Sequence, residues 1–179
     1  NVGAGMLALQ AGSERQRAFL AKLGLLEPMG TEAGPVAPPQ LPQSWGRVGT
    51  ITIAYGHGLA VAPLQFAPAA AAVVNGGERV APTLLLRADE PAKPDRVLAE
   101  TTSAGLRELM RPPVRHKAGA GRRAEAEGYG VGGKRGTAEM PGRGGYREKK
   151  VIASFLGAFP MEAPRYVSLV MLFEPQGTG

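Results

Sequence analysis

Two runs near the end of the chain, Val151 to Phe159 and Tyr166 to Phe173, carry its clearest strand signals. Only Pro160-Met161-Glu162-Ala163-Pro164 separates them, a tight connection. A linker that short joins antiparallel neighbours, because a parallel pair needs a crossover of a dozen residues or more. An antiparallel hairpin is therefore expected late in the chain. Helical patterns dominate what comes before it, and helices first with a sheet late is an α+β arrangement.

The helical patterns are punctuated by glycine and proline. Val2 to Gly24 reads as two short helices split by the polar Gly12-Ser13-Glu14-Arg15 break. Pro28 to Trp45, with five prolines, reads as an extended surface connection. Ile51-Thr52-Ile53-Ala54 is short and β-branched, and Tyr55-Gly56-His57-Gly58 makes a flexible turn after it. Pro63 to Val74 is expected to be a helix, with Pro63 in its first turn and Asn75-Gly76-Gly77 as its stop. Pro68 inside it is awkward, since an interior proline costs about 3 kcal/mol. Pro82 to Arg87 reads as a short strand or extended segment. Val97 to Met110 reads as a helix ended by Pro112-Pro113. Tyr129 to Lys134 reads as a strand weakened by glycine. Phe155, Phe159, Leu169 and Leu172 are expected to be core, not a ligand pocket. His57 is read as structural.

Composition excludes several kinds of chemistry. The 179 residues include no cysteine and two histidines, His57 and His116, neither in a His-Glu-x-x-His pattern. Thiolate zinc sites, disulfides and thiol nucleophiles are thereby excluded, and no metal or other cofactor is expected. No apolar run approaches the roughly 18 residues of a membrane span. The first residue is Asn1 rather than Met, and a helical pattern starts almost at once, which reads as an internal or C-terminal fragment.

The serines (Ser13, Ser44, Ser103, Ser154 and Ser168) lie in no Gly-x-Ser-x-Gly, and none has Lys three positions later. Ser44 has Arg47 at that spacing, but a guanidinium stays protonated and is no base. Without an activated nucleophile, this stretch alone is expected to be catalytically silent. Gly128-Tyr129-Gly130-Val131-Gly132-Gly133-Lys134 matches seven positions of a phosphate-binding loop. The eighth, which must be Ser or Thr, is Arg135, and the glycine- and proline-rich continuation cannot open a helix.

Charge is uneven. Arg107 to Lys150 holds 12 Lys/Arg against 5 Asp/Glu, while the rest of the chain is close to neutral. A basic, glycine-rich stretch suits an anionic partner, either nucleic acid or a carboxylate-bearing substrate. Nucleic-acid binders pair charge with stacking rings, and here only Tyr129 and Tyr146, beside Arg143-Gly144-Gly145, are at hand. A non-catalytic nucleic-acid-binding module is the alternative reading.

Several strings in order resemble the C-terminal part of the transpeptidase domain of class B penicillin-binding proteins, most closely the septal, cell-division enzymes of alphaproteobacteria. They are Tyr55-Gly56-His57-Gly58-Leu59-Ala60-Val61-Ala62-Pro63-Leu64-Gln65, Val74-Asn75-Gly76-Gly77, Gly128 through Glu139, and the hairpin from Ala153-Ser154-Phe155 through Pro164-Arg165-Tyr166-Val167 to Glu174-Pro175. The resemblance implies a partial transpeptidase fold, serine β-lactamase-like, with residues 1–179 forming one partial domain. It implies a parent that cross-links cell-wall stem peptides ending in D-Ala-D-Ala through a serine acyl-enzyme and binds β-lactams. It also implies a parent at the periplasmic face of the inner membrane, with division proteins as partners and no nucleic acid.

The family carries Ser-x-x-Lys, Ser-x-Asn and Lys-(Thr/Ser)-Gly-(Thr/Ser). The first is absent from these residues. Asn1, followed by Val2-Gly3-Ala4, resembles the asparagine of the second, and Lys134-Arg135-Gly136-Thr137 resembles the third. By that resemblance Asn1 and Lys134 are catalytic, while Arg135, Gly136 and Thr137 bind substrate. Lys134 would bring positive charge and donors, Gly136 would let a substrate backbone lie along the strand, and the Thr137 N–H would serve the oxyanion. Arg135 departs from the pattern, as do Ala62 before Pro63-Leu64-Gln65, Pro68, and Pro112-Pro113.

Overall fold

The computed structural model describes residues 1–86, 94–142 and 145–176. The chain divides into two compact units, Asn1–Ala72 with Glu78–Val97, and Val73–Gly77 with Leu98–Gly179. Helices and antiparallel strands give the α+β class expected from the sequence. No helix among the described residues is long and apolar enough to cross a membrane.

The first unit begins with helices α1 (Val2–Ala11) and α2 (Ser13–Lys22), which break at Gly12 where φ is +87°. A two-residue pair, β1 (Gly30–Thr31) and β2 (Gly34–Pro35), sits within the proline-rich connection. Gln40 then bridges to Ala60 through two backbone hydrogen bonds of 2.8 and 3.1 Å. The β-branched run Ile51–Ala54, whose composition favours a strand, is instead the second half of helix α3 (Arg47–Ala54). Thr50 and Thr52 donate their hydroxyls back to Gly46 O and Gly49 O, at 3.0 and 3.1 Å. Ile51 packs on Gly5 of α1, where an added Cβ would lie 3.0 Å from Ile51 Cγ2. Gln16 donates to Thr50 O and accepts from Trp45 Nε1, at 3.0 and 2.9 Å. Tertiary docking thus overrides a β-propensity worth at most about 1 kcal/mol.

Helix α4 (Pro63–Val74) has the expected boundaries and contains Pro68. Its Gln65 is 2% exposed and donates to Gly24 O and Glu27 O at 2.8 and 2.7 Å. Those bonds hold the chain leaving α2 beside a core of Leu23, Leu25, Ala69 and Ala72, onto which Leu20, Val61, Phe66 and Val97 pack. Strands β3 (Glu78–Arg79) and β4 (Asp95–Arg96) pair antiparallel, with ion pairs Arg79–Asp95 and Arg96–Glu78. Residues 82–86 form no strand, contrary to the expectation for Pro82 to Arg87; Arg87 itself lies outside the described residues. Proline at 82 and exposed leucines at 84–86 offer neither a full set of ladder donors nor a face to bury.

The second unit opens with the Gly76-Gly77 stop, both at φ above +90°. A Cβ on Gly77 would collide with Leu98, so glycine is required there twice over. Leu98 N donates to Gly77 O at 3.2 Å, and Ala99, the N-cap, is extended, which keeps these residues out of the helix. Helix α5 (Glu100–Met110) consequently starts three residues later than the sequence pattern suggests. Pro112-Pro113, expected only to end it, also opens the short helix α6 (Pro112–Arg115), a position that needs no N–H. A 3-10 turn at Arg122–Ala124 follows.

The sheet is β5 (Gly132–Gly142), β6 (Gly145–Phe159) and β7 (Tyr166–Phe173), antiparallel in the order β5-β6-β7. The expected hairpin is present, with Phe159 opposite Tyr166 and Ile152 opposite Phe173. The strand expected over Tyr129 to Lys134 begins only at Gly132 and runs well past Lys134, because its ladder is set by pairing with β6. Core residues Val74, Ala158 and Met161, flanked by Val73, Met110 and Val167, lie against one face.

The expectation that Phe155, Phe159, Leu169 and Leu172 form a core is corrected. Directly opposed residues share a face, so Phe155, Phe159 and Leu172 point one way and Leu169 the other. Leu172 is 55% exposed. Phe155 and Phe159 line a cavity of about 360 Å³ with Ala124, Ala126, Tyr129 and Val131.

Candidate active site

Strand β5 carries four of the five residues singled out in the sequence. Lys134, Arg135, Gly136 and Thr137 stand opposite Leu156, Phe155, Ser154 and Ala153 of β6. β5 lies at the end of the strand order, so among the described residues its outer edge pairs with no strand. The Lys134, Arg135 and Thr137 side chains are exposed. Alternation sets Arg135 and Thr137 on one face and Lys134 on the other. Lys134 Nζ donates to Arg135 O at 2.8 Å, which folds the ammonium back along its own strand.

The glycines around these residues are seats. A Cβ on Gly132 would lie 2.6 Å from Met161 Cε, and one on Gly133 would strike the Phe155 ring and Leu156 O. The same ring lies 3.0 Å from where a Cβ on Gly121 would be and 3.1 Å from one on Gly157. Three glycines, two in the sheet and one before the 3-10 turn, thus leave room for the Phe155 ring. Gly136 faces Ser154, whose Oγ would be 2.7 Å from an added Cβ and donates weakly to Gly136 O at 3.4 Å. Met161 and Ser154 are supporting residues that sequence reasoning missed, and Phe155, read there only as core, supports β5 as well. The cross-strand register, counted back from the hairpin, points to Phe155 and Ser154; Met161, in the connection after β6, has no such signal.

Two further residues fix the entrance to β5. Arg111 donates to Val131 O and makes a two-pronged pair with Glu125, at 2.9 and 3.2 Å. The Arg111 hydrogen bond holds the Glu125 carboxyl below the usual carboxylate range, against a smaller opposing effect of desolvation. Behind them Ser103, fully buried, donates to Val73 O at 2.7 Å and accepts from Gly76 N at 3.0 Å. Arg107 donates to Val74 O at 3.0 Å. These bonds satisfy the last carbonyls of α4, which would otherwise be unpaired.

Asn1 belongs to the first compact unit, not to this one. It is the N-cap of α1, exposed, with its carbonyl accepting from Gly5 N at 3.0 Å and its side chain making no cap bond. His57 packs edge-on against Tyr55, with ring centroids 5.5 Å apart. Among the described residues no group of three or more His, Asp or Glu side chains is placed to hold a metal ion.

Residues 1–179 match the family described as the penicillin-binding protein transpeptidase domain. The chain belongs to that family. It is 36% identical to the probable peptidoglycan D,D-transpeptidase FtsI of Caulobacter vibrioides, over 99% of this chain and 31% of that protein. It is 31% identical to penicillin-binding protein PbpB of Mycobacterium tuberculosis, over 98% of this chain and 28% of that protein. Among solved structures, the transpeptidase domain of penicillin-binding protein 3 from Burkholderia pseudomallei superposes with a TM-score of 0.87 at 33% identity, covering 97% of this chain and 53% of that one. Penicillin-binding protein 3 of M. tuberculosis in complex with aztreonam gives 0.84 at 31% identity, covering 97% and 43%. The chain thus spans about a third of the length of these curated relatives, and it is part of a class B transpeptidase domain. No finding supports the nucleic-acid reading, and Arg143 and Gly144, on which it leaned, lie outside the described residues.

Proposed function

We propose that this chain is the part of a septal peptidoglycan D,D-transpeptidase that presents the substrate-binding strand. The observation that carries the reading is the open edge of β5, where Lys134, Arg135 and Thr137 are exposed around Gly136. An extended peptide pairs with such an edge through main-chain hydrogen bonds. Its terminal carboxylate then falls among cationic and hydroxyl groups, and its penultimate carbonyl reaches the Thr137 N–H.

The serine and its lysine base would come from the remainder of the domain, since Ser-x-x-Lys is absent here. The serine oxygen attacks the carbonyl of the penultimate D-Ala, and its proton passes to the base. The Thr137 N–H, with a second N–H at the serine, stabilises the tetrahedral oxyanion. The C–N bond breaks, terminal D-Ala leaves as an amine with the transferred proton, and an ester remains. The amine of a neighbouring stem attacks that ester, losing a proton and freeing the serine. A β-lactam forms the same ester by opening its ring, and its leaving nitrogen stays tethered. Lys134 brings positive charge and donors to the strand that receives the substrate, and Asn1 holds the substrate amide and the lysine–serine pair. The parent acts at the periplasmic face of the inner membrane with division proteins as partners.

The test is release of D-Ala from a pentapeptide stem by the complete domain, with the acceptor amine present. Cross-linked dimer and free D-Ala in equal amounts support the reading. Absence of D-Ala release, in a folded domain with its serine present, overturns it.

A further inference from the structure

We infer that Arg135 makes this site select its ligand by charge, holding the terminal carboxylate with a guanidinium where a neutral hydroxyl would hold it in the family pattern. The inference rests on the proposed transpeptidase reading.

Arg135 is exposed on the open-edge strand and shares a face with Thr137. Among the described residues no carboxylate is ion-paired with it; the ion pairs of this unit are Arg111–Glu125 and Lys150–Glu174. Its cross-strand neighbour Phe155 gives it no cation–π partner either, because that ring is turned onto the seat of Gly121, Gly133 and Gly157. Lys134, the adjacent cation, is bent back onto Arg135 O. The strand therefore presents a guanidinium whose five donors are not spent on protein carboxylates, next to a hydroxyl and a backbone free to pair.

A guanidinium meets a carboxylate through two parallel N–H···O bonds, and these are stronger than bonds from a neutral hydroxyl. It is also far bulkier than threonine. The exchange therefore has two separable effects: greater discrimination in favour of a carboxylate over a neutral group, and less room for the acyl side of the ligand. Discrimination by an exposed charge carries a signature that volume does not, namely weakening by salt.

The experiment uses the complete domain with Arg135, and the variants Arg135→Gln, Arg135→Lys and Arg135→Thr. The probes are benzylpenicillin and its methyl ester, which removes the carboxylate charge and adds one methyl group; that added volume is common to every variant and cancels when their ratios are compared. Acylation rates are measured at about 0.05 M and about 0.5 M salt, which shortens the screening length severalfold. The acid-to-ester rate ratio is expected to fall about tenfold in Arg135→Gln, the loss appropriate to a charge-assisted pair. Salt is expected to lower the ratio in the Arg135 domain and to leave Arg135→Gln unchanged. Arg135→Lys should keep most of the ratio. Arg135→Thr should acylate faster with both probes while showing a reduced ratio. Equal ratios and equal salt responses in the Arg135 and Gln domains would overturn the inference while leaving the transpeptidase reading intact. If no version acylates with either probe, the reading beneath it fails and the inference fails with it.

Discussion

Gly133 and Gly136 lie three positions apart on one strand and look alike in the sequence, yet they are constrained by different things. At Gly133 a Cβ meets an aromatic ring and also a backbone carbonyl, which is held in the ladder and cannot rotate away. At Gly136 it meets only the Ser154 hydroxyl, which can rotate away. Gly133→Ala is therefore expected to destabilise the complete domain by about 1–3 kcal/mol, the usual range for overpacking. Gly136→Ala should cost under about 1 kcal/mol, and much of that should disappear in the Gly136→Ala, Ser154→Ala double variant, where the clashing oxygen is gone. Urea unfolding of the four proteins checks the ranking; equal losses at 133 and 136 would contradict the seat geometry. A family resemblance and a clear hairpin both direct attention to Lys134, Arg135, Gly136 and Thr137, and the structure sets all four on one edge strand. The seats on β5 were not legible, because Gly132, Gly133 and Gly136 depend on Met161, Phe155 and Ser154, which are distant in sequence and come across only when β6 pairs and turns.

Among the elements, the turn from α4 into the second unit depends on few bonds. Ser103→Ala removes the hydroxyl that donates to Val73 O and accepts from Gly76 N, two hydrogen bonds, and should cost about 1–3 kcal/mol. A Ser103→Ala protein as stable as its parent would contradict that role. The entrance to β5 responds to pH through Glu125. Its carboxyl is depressed in the folded chain by Arg111, so its contribution to stability is complete above the ordinary glutamate range and is lost as pH falls through the depressed value. Glu125→Gln should therefore be less stable than the parent near neutral pH, and the difference should shrink in acid. A gap unchanged on acidification would remove Glu125 from the account. Element boundaries read well from sequence where glycine or proline dictated them, as at Gly12, Pro63 and Gly76. They failed where a distant partner decided: Ile51–Ala54 is helical because Gly5 and Gln16 receive it, and α5 starts late because Leu98 is tied to Gly77.

For the whole molecule, the exposed apolar residues matter most. Val2, Met6 and Leu7 of α1 are exposed although that helix is apolar almost all round, and Tyr166, Val170 and Leu172 are exposed along one face of the sheet. A helix apolar on every side is normally buried. With about half of the Burkholderia domain matched, the chain on its own is expected to bind a hydrophobic dye and to self-associate, and the complete domain to do so far less. Equal dye binding by the two would contradict this. The order of the strings along the chain made the family legible at this scale. On the proposed reading, Lys134 and its strand serve a serine acyl-enzyme. The most direct measurement is intact-mass spectrometry of the complete domain after exposure to benzylpenicillin. The account predicts a mass increase of one penicillin on a single serine, and a large slowing of that reaction in Lys134→Ala. No adduct, or an adduct forming at the same rate without Lys134, would contradict it.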